Sequence, residues 1–255
     1  LEGNDPRGWS GDLAAAAQVI ADDPEGGPVS LLSDAPSPIP LGETVVNWTA
    51  TNASGQVAHL QQGIEVVDTT PPSLHAPADR VVTAAGPLTQ VDLGEATADD
   101  LYGVTVISND APASFPIGET EVTWRVQDSN GNEATAVQRV SVRYGFGGFV
   151  KPFKVGGIYL RGKTLPVKFV LTYADGSVVA DATPTFAVYV LAASEIVGEA
   201  LPTESSSAAD TGSQFRWADN VYIHNLRTDF AEQGSYLLLI QPGDGSEIRA
   251  PFGLK

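Results

Sequence analysis

The side chains in this chain best able to do chemistry are carboxylates. Ala21-Asp22-Asp23 returns later as Ala98-Asp99-Asp100, and Asp68 and Asp128 each open a stretch of turn-forming residues. Carboxylate oxygens gathered where strands end are the hard donors that Ca²⁺ collects in sets of about six to eight. Asp68, Asp99, Asp100 and Asp128 are therefore the candidate metal ligands, and calcium is the one cofactor the sequence suggests. None of these stretches has the spacing of an EF-hand loop. Asp and Asn are also ordinary turn formers, so a purely structural reading stands beside the metal reading.

Other chemistry is poorly provided for. The sequence has no Cys and no Met, which removes disulfides, thiolate metal sites and thiol catalysis together. Its three histidines, His59, His75 and His224, lie far apart without metal-ligand spacing and are expected at surfaces or strand edges. Nucleophile-elbow, phosphate-loop and H-E-x-x-H patterns are missing, so the expectation is a non-enzymatic protein. A net charge of −17 would repel nucleic acid and anionic membrane alike. No run of 18 apolar residues predicts a membrane span. The first residue is Leu1 rather than Met, which reads as a mature or trimmed segment.

The elements that must position the carboxylates are legible as a repeat. Asp34-Ala35-Pro36 returns as Asp110-Ala111-Pro112, and Pro40-Leu41-Gly42-Glu43-Thr44 as Pro116-Ile117-Gly118-Glu119-Thr120, at an offset of 76 residues. The same offset pairs Trp48 with Trp124, Asn52 with Asp128, and Gln62 with Gln138. Within Glu121–Val126, Val122, Trp124 and Val126 share one face and Glu121, Thr123 and Arg125 the other, the period of a half-buried strand. Asp128-Ser129-Asn130-Gly131-Asn132 then supplies a hairpin turn. With 26 Gly and 18 Pro punctuating short strands, the predicted fold class is all-β, built of tandem immunoglobulin-like β-sandwiches. Residues 1–145 carry 5 basic and 20 acidic side chains and residues 146–255 carry 9 and 11, which marks two kinds of module.

Asp68-Thr69-Thr70-Pro71-Pro72, Pro77-Ala78-Asp79, Phe115–Thr120 and Asp128–Asn132 together resemble the hyalin repeat, an immunoglobulin-like module of extracellular proteins. The resemblance implies an extracellular or cell-surface adhesive or spacer module without an active site. Repeat one departs from it, because the counterpart of Asp68–Asp79 would fall before Leu1 and the opening strand is expected to be missing. Asp12–Ile20 also reads as a capped helix, but the repeat favours extended structure there. The expected domains are 1–68, 69–145 and 146–255, with Pro71 and Pro72 restricting the connection between the repeats.

In the third region, Leu165–Tyr173 alternates and ends at a turn, and Thr185–Leu191, Gln214–Trp217, Tyr222–Leu226, Ser235–Ile240 and Ile248–Leu254 complete a strand set. Tyr144–Lys154 reads as a linker and Ala192–Ser213 as a loop. Phe146, Phe149 and Phe153 are expected to pack locally. Trp48 and Trp124 fall on core-facing positions, which leaves Trp9 and Trp217 for any carbohydrate platform. Asn47-Trp48-Thr49 and Asn52-Ala53-Ser54 fit the N-glycosylation pattern. Pro166-Val167-Lys168-Phe169, Gln214–Trp217, Tyr222–Leu226 and Gly234-Ser235-Tyr236 look like the P-x-K-F domain at the carboxyl ends of secreted microbial proteins, which implies a prokaryotic exported protein.

Two functions follow as expectations. One is a subunit that assembles with other copies of itself into a surface filament or layer by strand complementation, because a sandwich lacking a strand exposes unpaired backbone groups. The other is a set of spacer or accessory modules of a larger secreted enzyme or adhesin that meets cell-surface components.

Overall fold

The computed structural model describes residues 1–229 and 232–255. The chain divides into two compact units, one comprising residues 1–77, 95–110 and 123–137 and the other 78–94, 111–122 and 138–255. Its regular elements are almost all strands, as the alternation predicts. No helix among the described residues is long and apolar enough to cross a membrane.

In repeat one, helix α1 (Leu13–Ala16) precedes β1 (Val29–Ser33), β2 (Gly42–Asn52) and β3 (Val57–Val66), and the strands form an antiparallel sheet in the order β1-β2-β3. Trp48 lies opposite Leu60, and Val46 opposite Gln62. Val46, Trp48, Ile64 and Val66 are buried with Leu13 and Ile39, against Trp9 and Leu31. Removing each such side chain from water contributes about 1.5–3 kcal/mol. The helix corrects the extended reading of Asp12–Ile20: Asp12 caps it, its carboxylate accepting from Ala15 N at 3.2 Å, and Leu13 supplies the buried face. Leu1–Gly3 runs parallel to the end of β3, with Leu1 O accepting from Val67 N at 2.9 Å and Gly3 N donating to Val67 O at 2.8 Å.

Repeat two contains β4 (Ser73–His75), β5 (Arg80–Thr83), β6 (Leu88–Thr89), β7 (Thr97–Asp99), β8 (Val104–Asn109), β9 (Phe115–Pro116), β10 (Gly118–Asp128) and β11 (Glu133–Arg143). Its main sheet has the order β5-β11-β10-β8, while β4 pairs with β7 and β6 with β9. β5 runs parallel to the end of β11, with Thr83 opposite Arg143. Leu1–Gly3 takes the corresponding place beside β3 in repeat one, so part of the expected gap is filled by the chain itself.

The remaining strands are β12 (Gly145–Val150), β13 (Ile158–Tyr159), β14 (Thr164–Thr172), β15 (Thr185–Ala192), β16 (Glu195–Leu201), β17 (Arg216–Ala218), β18 (Val221–Arg227), β19 (Gly234–Gln241) and β20 (Ile248–Leu254). They form two sheets, β12-β14-β18-β17 and β13-β20-β19-β15-β16, whose inward side chains share one core that includes Phe169, Tyr222, Leu238 and Phe252. Two expectations are corrected here. Tyr144–Lys154 is not a linker, because Gly145–Val150 pairs with β14, and the predicted loop Ala192–Ser213 contains β16 at the sheet edge. The phenylalanines do pack locally: Phe149 lies 4.8 Å from Phe153 and 5.1 Å from Phe146 between ring centroids. Trp9 and Trp217 are packed against the cores rather than free.

His224 is a further correction, being 1% exposed rather than at a surface. It alternates inward with Tyr222 and Leu226, its Nδ1 sits 3.1 Å from Gln214 O, and burial pushes its pKa down. His59 and His75 are exposed, as expected.

Candidate metal centre

Three of the four predicted ligands meet in the first unit. Asp68 follows β3, Asp100 follows β7, and Asp128 ends β10, where the register with β8 slips by a bulge. One carboxylate oxygen from each of Asp68, Asp100 and Asp128 lies within 4.8 Å of the others. Oxygens bound to one Ca²⁺ at about 2.3–2.6 Å lie no more than roughly 5 Å apart, so this spacing suits a shared cation. Asp99 is not in the group; as the outward residue of β7 it is exposed, while Asp100 is half-buried.

Local hydrogen bonds hold each carboxylate. Asp128 is only 2% exposed; its Oδ1 accepts from Asn130 N at 2.9 Å and Asn132 N at 2.8 Å, and its Oδ2 from Asn132 Nδ2 at 2.7 Å. Burial raises its pKa, but the Asn132 side chain and the Asn132, Asn130 and Gly131 amides outweigh that and hold it below the usual carboxylate range. Asn130 Nδ2 donates to Asp68 Oδ2 at 2.7 Å, and Asn132 Nδ2 to Asp68 O at 3.1 Å. Asp100 Oδ1 accepts from Tyr102 N at 2.8 Å.

A second layer comes from the first residues of the chain, which carry no sequence signal for the site. Glu2 accepts from Thr69 N at 2.8 Å, Thr69 Oγ1 at 2.9 Å and Thr70 Oγ1 at 3.0 Å, and these bonds, the Thr69 amide first, lower its pKa. Tyr102 Oη donates to Gly8 O at 2.8 Å. Burial is the main cause raising the Tyr102 pKa, followed by the negative charges of Asp68, Asp5 and Glu2. Nothing in the spacing of these residues announces the meeting; it needs Leu1–Gly8 folded beside Val67.

Repeat one contains the same turn with different chemistry. Asn52 stands where Asp128 stands, and its Oδ1 accepts from Ser54 N at 3.1 Å and Gln56 N at 2.9 Å. Asn52 N donates to Gln56 O at 3.1 Å, as Asp128 N does to Asn132 O at 3.0 Å. Gly55 and Gly131 both take positive φ, 82° and 94°. Asp23, the counterpart of Asp100, accepts from Asn52 Nδ2 at 3.3 Å. An amide oxygen thus builds this turn as well as a carboxylate does, so the charge at Asp128 exceeds what the turn requires.

Both glycosylation-pattern asparagines are already hydrogen-bonded: Asn47 Nδ2 donates to Asp34 Oδ2 at 2.7 Å, and Asn52 holds its turn.

Comparison with known proteins agrees with the resemblance read in repeat two. Proteins named hyalin from Lytechinus variegatus and Strongylocentrotus purpuratus are 36% identical over 111 residues and 34% identical over 112 residues. Each alignment covers 40% of this chain, but only 21% and 9% of those proteins. Both are sea-urchin proteins, and neither favours the prokaryotic origin implied by the C-terminal resemblance. Among solved structures, extracellular domains 3–5 of Drosophila OTK align over 82% of this chain and 70% of that one at 12% identity, with a TM-score of 0.31. Titin domains I67–I69 align over 89% and 88% at 10% identity, with a TM-score of 0.26. Residues 67–142, which take in nearly all of repeat two, match the HYR domain family.

Proposed function

We propose that this chain is a run of non-enzymatic structural modules from an extracellular or cell-surface adhesive protein, with Ca²⁺ bound by Asp68, Asp100 and Asp128. The observation that carries the metal is the internal comparison: Asn52 builds the repeat-one turn without charge, whereas repeat two places a buried carboxylate at the same point and two more beside it. Three carboxylates so close repel one another, and a divalent cation removes that cost. Bound there, the ion ties the segment leaving β3 to the loops after β7 and β10, stiffening the start of the HYR domain. Adhesive and spacer roles depend on such stiffness.

Isothermal titration calorimetry of the purified chain with CaCl₂, beside Asp128→Asn, tests this. Saturable binding that weakens at least tenfold in the variant, with unchanged circular dichroism, supports the site; equal heats from both proteins, or none from the parent, refute it.

Self-assembly by strand complementation is a second reading, supported by the open edge Ile20–Asp22. No backbone hydrogen bond joins it to another segment among the described residues. Sedimentation velocity tests it: larger species growing with concentration support assembly, and a monomer at every concentration opposes it.

A further inference from the structure

We propose that His224 is an acid-sensitive latch of the sandwich formed by β12 to β20: when its ring takes up a proton, residues 205–214 lift from β18 and water reaches the aromatic core beneath them. The device lies apart from the calcium site and stands on the packing around one side chain.

Alternation along β18 turns His224 inward between Tyr222 and Leu226, opposite Val167 of β14. A carbonyl oxygen only accepts, so the 3.1 Å contact with Gln214 O fixes the proton of the neutral ring on Nδ1. Nε2 is then a buried lone pair without a hydrogen-bond partner. The ring sits among Val167, Phe186, Phe215, Leu226 and Leu238, with the Phe186 centroid 4.5 Å from its own and no room for a water molecule. A second proton would place an N–H and a positive charge where nothing accepts them.

Asp210 and Arg216 are the charged side chains that act on His224 among the described residues. β14, β15 and β19 face it with Val167, Phe186 and Leu238. The Asp210 carboxylate is fully buried, and its Oδ2 lies 3.9 Å from His224 Nδ1. That carboxylate is already engaged: Oδ2 accepts from Ser205 Oγ and from Asn225 N at 2.8 Å, and Oδ1 accepts from Arg216 Nε at 2.8 Å. The guanidinium offsets the charge that would otherwise hold an imidazolium in place. Burial accordingly keeps the His224 pKa below its ordinary 6.5, against the opposing pull of Gln214 O and Asp210.

The covering segment is the part that can move. Residues 205–214 run between β16 and β17 and are held to β18 by Ser206 N donating to Asn225 O at 3.1 Å, by Asn225 N donating to Asp210, and by His224 Nδ1 donating to Gln214 O. β18 itself is paired on both sides, by β14 and β17, so wetting the ring by parting strands breaks a ladder, whereas lifting the segment breaks these few bonds. The folded state holds the His224 proton less tightly than the unfolded state, so its contribution is whole above pH 6.5 and is lost as pH falls toward the depressed folded value. Burial raises the Asp210 pKa, but Ser205, Asn225 and Arg216 outweigh it and hold it below 3.8, so the loss due to Asp210 comes only at lower pH.

Hydrogen–deuterium exchange of the intact chain at pH 7 and pH 5, corrected for the intrinsic pH dependence of exchange, tests this with the parent and His224→Asn. The Asn Nδ2 replaces the Nδ1 donor to Gln214 O and takes up no proton. Protection of residues 205–214 is expected to fall at least tenfold from pH 7 to pH 5 in the parent and less than twofold in His224→Asn. Equal falls in both proteins, or none in the parent, overturn the latch. Where His224→Asn does not fold, nitrogen-15 spectra of the parent's histidine rings decide. A His224 ring that keeps its Nδ1–H form while residues 205–214 stay protected, and becomes imidazolium as they open, upholds the latch; an imidazolium beneath a protected segment overturns it.

Discussion

The turn at Asn52 and the turn at Asp128 are one backbone design with two chemistries. Each uses an Asx side-chain oxygen to take the amides two and four residues on, and each closes with a glycine at positive φ. Beside Asn52 stands the half-buried carboxylate of Asp23, which accepts from the Asn52 amide. Around Asp128 stand Asp68 and Asp100. The difference separates what the fold needs, an acceptor oxygen, from what only a ligand needs, concentrated charge. A repeat inside one chain acts as its own control, because strand order, turn length and the register up to the bulge at Asp128 are shared while the charge is not.

The largest effect comes from removing the oxygen itself. Asp128→Ala and Asn52→Ala each strand two turn amides, and each lowers the Tm of the unit that contains both turns by on the order of 5–10 °C, read by calorimetry. If only Asp128→Ala is destabilising, the two turns are not equivalent and the comparison fails. Charge exchange has a smaller effect on stability and a larger one on calcium: Asp128→Asn keeps the turn and weakens Ca²⁺ binding at least tenfold, while Asn52→Asp leaves the repeat-two site untouched.

Acid separates the turns further. The folded pKa of Asp128 lies below the ordinary value of 3.8, so the folded state holds its proton less tightly than the unfolded state does. Its stabilisation is therefore complete above about pH 4 and is lost as pH falls through the depressed folded value. Urea unfolding between pH 5 and pH 2 shows a steeper decline for the parent than for Asp128→Asn, which has no proton to take up at that position. Equal slopes would mean that the hydrogen bonds to Asp128 do not distinguish its charged form.

Much of this is legible in the repeat: the 76-residue offset pairs Asn52 with Asp128, and alternation places Trp48 and Trp124 inward. Gln62 shares the phase of Ile64 and Val66 and binds the Trp48 indole at 3.1 Å, and its counterpart Gln138 is fully buried, donating to Ala78 O and Leu93 O. The same phase rule buries His224 between Tyr222 and Leu226, although its polarity argues for a surface. Gly145–Val150 is illegible because a Gly- and Phe-rich stretch has little strand propensity of its own and is held by pairing with β14. Around α1 the local signal prevails over the repeat: Asp12 caps a turn whose Leu13 reaches the core, in a region with no paired strand to impose extension. Asp99 groups with Asp100 in the sequence because adjacency says nothing of which of two neighbours on a strand faces outward.

The smallest effect sharpens the comparison at its edge. Repeat one has Glu25 where repeat two has Tyr102, so only the repeat-two site is tied to Leu1–Gly8 through a phenol. Tyr102→Phe removes one hydrogen bond, to Gly8 O, at a cost of about 0.5–1.5 kcal/mol in chemical unfolding at pH 7. The sign reverses with alkali. Burial and neighbouring carboxylates raise the folded pKa of Tyr102 above 10.0, so its contribution is whole below pH 10 and is lost as pH rises through the raised value. The stability gap between the parent and Tyr102→Phe therefore closes above pH 10. A gap that stays constant into alkali would show that the phenol proton is not what joins this loop to Gly8, leaving ring packing against Gly3 as the contact that matters, since a Cβ there would lie only 1.9 Å from the phenol oxygen.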